Sequence, residues 1–210
     1  MNPQLNRDIE LLFEISSLRH MPRAWVQQLG GRPATVLDHS VRVMLISLVL
    51  ARMEKINPIR KSATSNGEIN EELIIKMALF HDLAESRTSD HAYMQKVYVE
   101  IKEELAVSDM YAKTQFSDIP ALLKKYEDRD CIEAKIVRDA DNIDVDLEIK
   151  EYENMGHKLP AKWKSTSRKI VQKSLYTKSA KVLLEKLLKS DPDSWHLKAN
   201  KYYKIKNAAK

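Results

Sequence analysis

A histidine and an aspartate stand side by side, as His81 and Asp82, in an otherwise apolar run from Leu73 to Glu85. An ionised carboxylate in an apolar helix costs free energy unless it is paired or bound to a cation. A metal ion is the simplest partner for an adjacent imidazole and carboxylate. If the helix continues to Glu85, that carboxylate lies on the same side as both residues. The segment therefore predicts a chemically active helix with three converging ionisable groups.

Two further segments offer partners for this pair. His39 lies near the start of a long apolar run, and Asp141 lies in another, each at a position that helical spacing turns inward. With His81 and Asp82 they supply two imidazole nitrogens and at least two carboxylate oxygens. That donor set suits a divalent first-row metal and leaves coordination positions for water and substrate. Cys131 stands alone, so no cysteine cluster is available.

The order of these residues resembles the H…HD…D signature of the HD-domain metal-dependent phosphohydrolases. The match extends to the 5′-deoxynucleotidase branch, which removes phosphate from deoxyribonucleoside 5′-monophosphates. Glu85 and Asp90 fit the HD-x-x-E-x-x-T/V-G-D pattern of that branch, and residues 126–141 resemble its approach to the last ligand. Residues 18–26 resemble its N-terminal L-K/R-x-x-P-R…W region. One departure is Ser89, where the branch usually has Gly, a residue that permits positive φ.

The resemblance covers roughly residues 8–155 and implies a metal centre. The cofactor would be one divalent metal ion (Mn²⁺, Co²⁺, Mg²⁺ or Zn²⁺), and the sequence does not identify which. Four side chains would hold it: His39, His81, Asp82 and Asp141.

The same resemblance implies roles around that metal. Glu85 and Asp90 would be catalytic: one would orient or deprotonate the attacking water and the other would protonate the departing sugar hydroxyl, with the two roles open to exchange. The substrate would be a nucleotide. Arg23 would bind its phosphate, Thr88 would place a hydroxyl beside that phosphate, and Trp25 would offer a flat face to the base or sugar.

Plainer explanations exist for several of these residues. Glu85 could orient His81 instead of acting on water. Asp90 could end one helix or cap the next. Trp25 could be ordinary core packing, and Arg23 a solvated surface charge.

Composition and periodicity predict an all-α fold, an HD-domain helical bundle. The 210 residues are 43% hydrophobic and 31% charged, with only 4 glycines, and alternating strand patterns are scarce. A polar stretch at 60–67 predicts an exposed loop before a helix that Asn70 caps. The expected helices are at about 4–19, 35–55, 70–86, 91–107, 118–125, 130–154 and 167–189.

Charge divides the chain unequally. Residues 161–210 hold 14 Lys and Arg against 3 Asp and Glu, and the whole-chain net charge of +5 leaves residues 1–160 at −6. We predict an HD phosphohydrolase domain at 1–160 and a basic helical C-terminal extension at 161–210 packed on the same domain. A solvated basic helix against an acidic body is the favoured interpretation, and nucleic-acid binding the alternative. The acidic residues from Asp144 to Glu153 are expected to form a solvated helix face.

No apolar leader follows Met1, and no run approaches the roughly 20 apolar residues that a membrane span requires. A lone cysteine excludes an intrachain disulfide. We therefore expect a cytoplasmic protein without a membrane partner. A homodimer is implied by the resemblance alone.

Other functions compete with the 5′-nucleotidase interpretation. Other HD proteins hydrolyse nucleoside triphosphates or guanosine tetraphosphate, and the tetraphosphate branch typically has an acidic pair where this chain has Glu85 and Ser86. Enzymes for cyclic dinucleotides usually carry extra metal ligands that the sequence lacks. A non-catalytic, metal-bearing nucleic-acid-binding protein is the alternative outside enzymes, although such a scaffold needs neither Glu85 nor Asp90.

Overall fold

The computed structural model describes residues 2–56 and 68–198. The loop expected at 60–67 and the end of the basic segment, from 199 onward, lie outside the described residues. Within the described ranges the chain forms α-helices and short 3₁₀ turns, and an isolated antiparallel bridge joins Pro22 to Thr35. The helices are α1 (Pro3–Ser17), α2 (Val26–Leu29), α3 (Val36–Ile56), α4 (Glu71–Phe80), α5 (Glu85–Thr88), α6 (Glu103–Tyr111), α7 (Ile119–Asp128), α8 (Ile132–Asn154), α9 (Leu159–Ser165), α10 (Ser167–Lys173), α11 (Lys178–Lys189) and α12 (Ser194–Lys198).

Three helices, α3, α4 and α8, pack on one another at the centre, and α11 covers α3 and α8. Asn70 caps α4 by accepting a hydrogen bond from the Leu73 N–H at 3.0 Å, as the sequence predicts. The apolar faces of these helices meet in one core, which includes Val43, Leu50, Ile74, Met77, Ala134, Ile136, Ile143 and Leu184. The all-α prediction is confirmed.

A second core lies where α1, α6 and α7 meet the end of α4. It is built from Leu11, Leu18, Phe80, Leu83, Met110, Tyr111 and Ile119. Since Phe80 and Leu83 flank His81 and Asp82 in the chain, apolar packing on this side fixes the turn that carries the pair.

The helix expected at 70–86 is interrupted. Helix α4 ends at Phe80, and the next residues form a tight turn whose backbone bonds run from Leu83 N–H to the Phe80 carbonyl and from Glu85 N–H to the Asp82 carbonyl. These i to i−3 bonds tighten the backbone relative to an α-helix. Glu85 therefore approaches the pair from the start of a separate helix, α5.

The prediction of a helix at 91–107 is wrong for residues 91–102. Residues 91–102 hold only one 3₁₀ turn, at Gln95–Val97, and α6 begins at Glu103. The apolar side chains that suggested a helix here, such as Tyr93 and Tyr98, are exposed. Apolar spacing without burial does not stabilise a helix.

The helix expected at 167–189 is divided between α10 and α11. Between them the Asp139 carboxylate accepts hydrogen bonds from the N–H groups of Tyr176 and Thr177 and from the Thr177 hydroxyl, all at 2.8 Å. Backbone N–H groups bound to a side chain cannot continue the α-helical ladder. The break is therefore fixed by a buried aspartate on α8.

The described part of the basic segment docks onto α8. The Arg168 guanidinium lies 2.8 Å from Asp146 Oδ2 and donates to the Asn142 carbonyl at 2.6 Å. Lys164 pairs with Glu153. The expected solvated face is therefore wrong for Asp146, which is 1% exposed and receives the basic segment, whereas Glu151 is exposed as expected. Across 2–56 and 68–198, none of the helices is at once long and apolar enough to cross a bilayer.

Candidate metal centre

His39 lies one turn into α3 and is fully buried. Its Nδ1–H donates a 2.7 Å hydrogen bond to Asp144 Oδ2. That bond turns Nε2 toward two acids, 3.3 Å from Asp82 Oδ2 and 3.4 Å from Asp141 Oδ1. Burial and the charge of Arg23 lower the pKa of His39. The carboxylates of Asp141, Asp144 and Asp82 outweigh both effects and raise this pKa well above its ordinary value. A cation bound here would therefore replace the Nε2 proton.

His81 is held by its own turn. Its Nδ1–H donates to the Ala78 carbonyl at 2.9 Å, and its Nε2 lies 3.3 Å from Asp82 Oδ2. The two imidazole rings are 5.3 Å apart between centroids. Ligand atoms of His39, His81 and Asp141 all lie within 4.8 Å of one another. Side chains from α3, from the turn after α4 and from α8 thus meet at one point.

The donor atoms fit a divalent cation. Neither Nε2, of His39 or of His81, has a hydrogen-bond partner although both atoms are buried. Burial would raise the pKa of Asp82 and Asp141, but the neighbouring imidazoles, with Arg23 beside Asp82, hold both pKa values well below the ordinary range. Two buried imidazole nitrogens beside two ionised carboxylates form the mixed nitrogen and oxygen set that such an ion binds.

A second layer behind His39 was missed by sequence reasoning. Asp144 is fully buried, and besides His39 it accepts hydrogen bonds from Arg42 at 2.5 and 2.9 Å. Arg42 also lies 3.2 Å from Glu148, which accepts a hydrogen bond from the Ala34 N–H. The expectation of a solvated face is wrong for these two acids because α8 turns them toward α3. Asp144 lies one turn beyond Asp141, and this was the available signal.

Glu85 projects into the same region from the first residue of α5. Its Oε2 is buried without a hydrogen-bond partner. Burial, followed by the charges of Asp82 and Asp90, raises the pKa of Glu85 to about 9. A cation beside Asp82, Glu85 and Asp90 would lower the pKa of Glu85 again, because a positive charge favours the ionised form.

Arg23 and Asp90 form a buried pair beside the metal ligands. The Asp90 carboxylate accepts a 2.9 Å hydrogen bond from the Ala24 N–H, and its Oδ2 lies 3.3 Å from Arg23 Nε. Arg23 Nη1 lies 3.3 Å from Asp82 Oδ2. Arg23 is only 6% exposed, so it is not a solvated surface charge. Asp90 caps no α-helix, since α6 begins thirteen residues later at Glu103.

Ser89 stands where the resembled pattern usually has Gly, and its backbone adopts a geometry that favours Gly. Its φ is +67° and its ψ is 155°, a combination that residues with a Cβ rarely adopt. The chain turns there from the end of α5 toward Asp90. A serine thus holds a conformation for which glycine is better suited.

The remaining substrate candidates border the centre. Trp25 Nε1 is buried without a partner, and the Arg23 guanidinium lies 4.8 Å from the Trp25 ring centroid. The Thr88 hydroxyl donates weakly to the Ala84 carbonyl at 3.3 Å. Thr88 and His91 line an open groove of about 410 Å³ together with residues 99–102, and none of the four candidate metal ligands lines it.

Comparison with known proteins agrees with this centre. A family profile described as "HD domain" matches residues 15–183, which include all four candidate ligands. The chain belongs to the HD-domain family. The match runs through α9 and α10 into α11, so the described basic helices up to residue 183 lie within it.

Curated relatives of this HD-domain chain include enzymes named 5′-deoxynucleotidase HDDC2. The protein from Dictyostelium discoideum is 33% identical over 149 residues, which cover 68% of this chain and 75% of the relative. The human protein is 26% identical over 157 residues, 71% of this chain and 70% of the relative. A crystal structure of a Pyrococcus horikoshii protein matches with a TM-score of 0.68 at 28% identity, over 86% of this chain and 98% of that one.

Proposed function

We propose that this HD-domain protein is a metal-dependent phosphomonoesterase that converts (deoxy)ribonucleoside 5′-monophosphates to nucleoside and phosphate. One observation carries the proposal: the Nε2 atoms of His39 and His81 converge with the carboxylates of Asp82 and Asp141 beside a buried arginine. The names of the curated relatives support a nucleoside monophosphate as substrate.

His39, His81, Asp82 and Asp141 would hold one divalent cation. When bound, such an ion polarises a phosphoryl oxygen and lowers the pKa of water. The protein fixes the donors in advance, because Asp144 and the Ala78 carbonyl hold both imidazoles with Nε2 turned toward the site.

Glu85 is the group we assign to the attacking water. Its unpartnered Oε2 is free to accept a proton, and it stands three residues beyond Asp82. Asp90, held by the Ala24 N–H and facing Arg23, is the group we assign to the leaving oxygen. Glu85 is the first residue of α5 and Asp90 lies two residues beyond its end, so the two carboxylates reach the site from separate points of the chain.

Arg23 is placed to bind the phosphate. It is buried between Asp82 and Asp90, and its Nε has no hydrogen-bond partner although two carboxylates surround it. A guanidinium with free donors beside a metal site suits a phosphate dianion. Trp25 stacks on Arg23 and keeps a free indole N–H for the sugar or base, and we assign Thr88, at the end of α5, to the phosphate.

A phosphate-release assay tests this function. The full chain, loaded in turn with Mn²⁺, Co²⁺, Mg²⁺ and Zn²⁺, is given a panel of ribo- and deoxyribonucleoside 5′-monophosphates. We expect turnover with monophosphates and a loss of about 10²- to 10⁴-fold in kcat for Glu85→Gln, as for removal of a general base. Release unchanged by Glu85→Gln would remove that residue from the mechanism.

The same assay separates the competing functions. Triphosphates and guanosine tetraphosphate as substrates test the other HD activities, and turnover of these alone would refute the monophosphatase. Binding of DNA or RNA that weakens steeply with salt, without any turnover, would favour the non-catalytic alternative.

Three further proposals concern the protein as a whole. We propose an HD domain at 1–160 with a basic extension at 161–210, a homodimer, and residence in the cytoplasm. The exposed stripe of Val41, Leu45 and Val49 on α3 offers an apolar surface for a second copy. Analytical ultracentrifugation tests the dimer, and a sedimentation coefficient of a monomer at micromolar concentration would exclude it.

A further inference from the structure

Tyr126 on α7 carries a buried hydroxyl that lies beside Arg138 but makes no hydrogen bond of good geometry to a described group. The residue is 2% exposed, and its hydroxyl oxygen has no hydrogen-bond partner. Its ring meets the His81 ring edge-on at 5.8 Å, and the Arg129 guanidinium lies 4.0 Å from the ring centroid on a face. Buried hydroxyl groups are normally hydrogen-bonded. A ligand that enters the metal site is therefore the natural partner of this hydroxyl.

Tyr126 is a hydrogen-bond donor at neutral pH, because the ordinary pKa of a phenol is about 10. Its ring lies edge-on against His81, which places the side chain at the edge of the metal centre.

Arg138 adds a positive charge next to this hydroxyl. Its Nη1 donates to Asp141 Oδ2 at 2.8 Å, whereas Asp141 Oδ1 lies 3.4 Å from His39 Nε2. The Arg138 side chain is 43% exposed and that of Asp141 15%, so the guanidinium stands on the solvent side of the carboxylate. Only one of its five N–H donors is used by Asp141, so others remain for an anion.

We propose that the Tyr126 hydroxyl and the Arg138 guanidinium bind non-bridging phosphate oxygens of the substrate, in addition to Arg23. This inference rests on the proposed function for the identity of the ligand as a phosphate ester. Phosphate carries several acceptor oxygens around one centre, and Arg23 reaches the site from the N-terminal segment while Tyr126 and Arg138 reach it from α7 and α8. Donors from separate elements can each serve a different oxygen.

Binding of inorganic phosphate to the Mn²⁺-loaded full chain tests the proposal. We expect calorimetry to show that Tyr126→Phe weakens phosphate binding about tenfold. This is the loss expected for one hydrogen bond to a charged acceptor. Arg138→Gln is expected to weaken it by at least as much. Mn²⁺ affinity of Tyr126→Phe, measured without phosphate, should stay within about twofold of wild type, because the phenol is not a metal ligand.

Two control variants match the changes. Tyr111→Phe also removes a buried hydroxyl without a partner, but its ring packs on Phe80 in the second core. Arg52→Gln removes an exposed arginine that pairs with Glu71 on the surface. Both controls should bind phosphate as wild type does.

Phosphate affinity unchanged in Tyr126→Phe, or lowered equally in Tyr111→Phe, would overturn the assignment. A parallel loss of Mn²⁺ affinity in Tyr126→Phe would also overturn it, because Tyr126 would then only support His81. The measurement needs no turnover. Weakened phosphate binding in a protein that hydrolyses no monophosphate would thus refute the proposed function and still support this inference.

Discussion

Asp144 accepts a 2.7 Å hydrogen bond from His39 Nδ1 across 105 residues of sequence, and both side chains are fully buried. This single contact decides which imidazole nitrogen faces the metal site. It also links α3 to α8, the two longest helices, at the depth of the candidate ligands. One hydrogen bond therefore both orients a candidate metal ligand and joins the two helices at the centre of the fold.

Replacing that carboxylate should weaken metal binding. Asp144→Asn keeps the shape of the side chain but offers an amide in place of a charged acceptor, so His39 loses its fixed tautomer. We expect Mn²⁺ affinity to fall by about 10- to 100-fold, as for other residues behind metal-bound histidines. Calorimetric titration of the metal-stripped variant measures this. Glu148→Gln is the matched control, because it contacts Arg42 but not His39; an equal loss there would assign the effect to general loosening of α8.

Ser89→Gly should stabilise the protein. Ser89 has φ +67° and ψ 155°, and release of such strain contributes about 1 kcal/mol or somewhat more, less the entropy that glycine gains in the unfolded chain. Urea unfolding should show a higher midpoint with the slope unchanged. Ser86→Gly, in helical backbone, should instead lower the midpoint, because glycine disfavours a helix and the Ser86 hydrogen bond to Glu14 is lost. A lower midpoint for Ser89→Gly would show that the serine side chain, rather than its backbone, determines stability here.

The tether between α1 and α5 should depend on pH. Glu14 accepts hydrogen bonds from Arg87 at 2.6 and 2.8 Å, and these bonds lower its pKa. A lowered pKa in the folded state adds stability that is complete above the unfolded-state value, about 4.3. That contribution is lost as the pH falls through the folded-state pKa. Glu14→Gln should thus cost about 1 kcal/mol at pH 7 and progressively less below about pH 4. Urea unfolding across this range measures the difference, and a constant difference would contradict the assignment.

Removing only one partner of the ion pair that docks the basic segment should lower the free energy of unfolding. Arg168 is 9% exposed and Asp146 1%, so Arg168→Met leaves a buried carboxylate without its cationic partner and with one hydrogen bond, from Gln172 at 3.2 Å. We expect the free energy of unfolding to fall by about 3 kcal/mol and to recover when Asp146→Leu is added. Exposed Lys169→Met is the control. No recovery in the double variant would show that Asp146 has another essential partner.

Periodicity and short spacing were enough to predict the candidate ligands from the sequence. His39 and Asp141 could be placed inward because each lies within a long apolar helix. The pair at 81–82 could be recognised because two adjacent ionisable residues interrupt an apolar run. The sequence could not distinguish Asp144 from its acidic neighbours, because the residue type does not reveal whether a carboxylate is buried or solvated. Phe80 and Leu83, on either side of the break, pack in one core with Leu11 of α1, and Asp90 is held by residue 24. Both sets of partners lie far away in the chain. Those contacts are tertiary, so no local pattern encodes them.

The segment that carries Arg23 is joined to the start of α3 by backbone pairing, with Arg23 N–H bonded to the Ala34 carbonyl and Val36 N–H to the Met21 carbonyl. Residues 24–33 form the excursion between these pairings, and they supply Trp25 but none of the candidate metal ligands. Changes beyond Ala24, whose N–H holds Asp90, can therefore remodel the surroundings of Trp25 over evolutionary time without displacing the four candidate metal ligands.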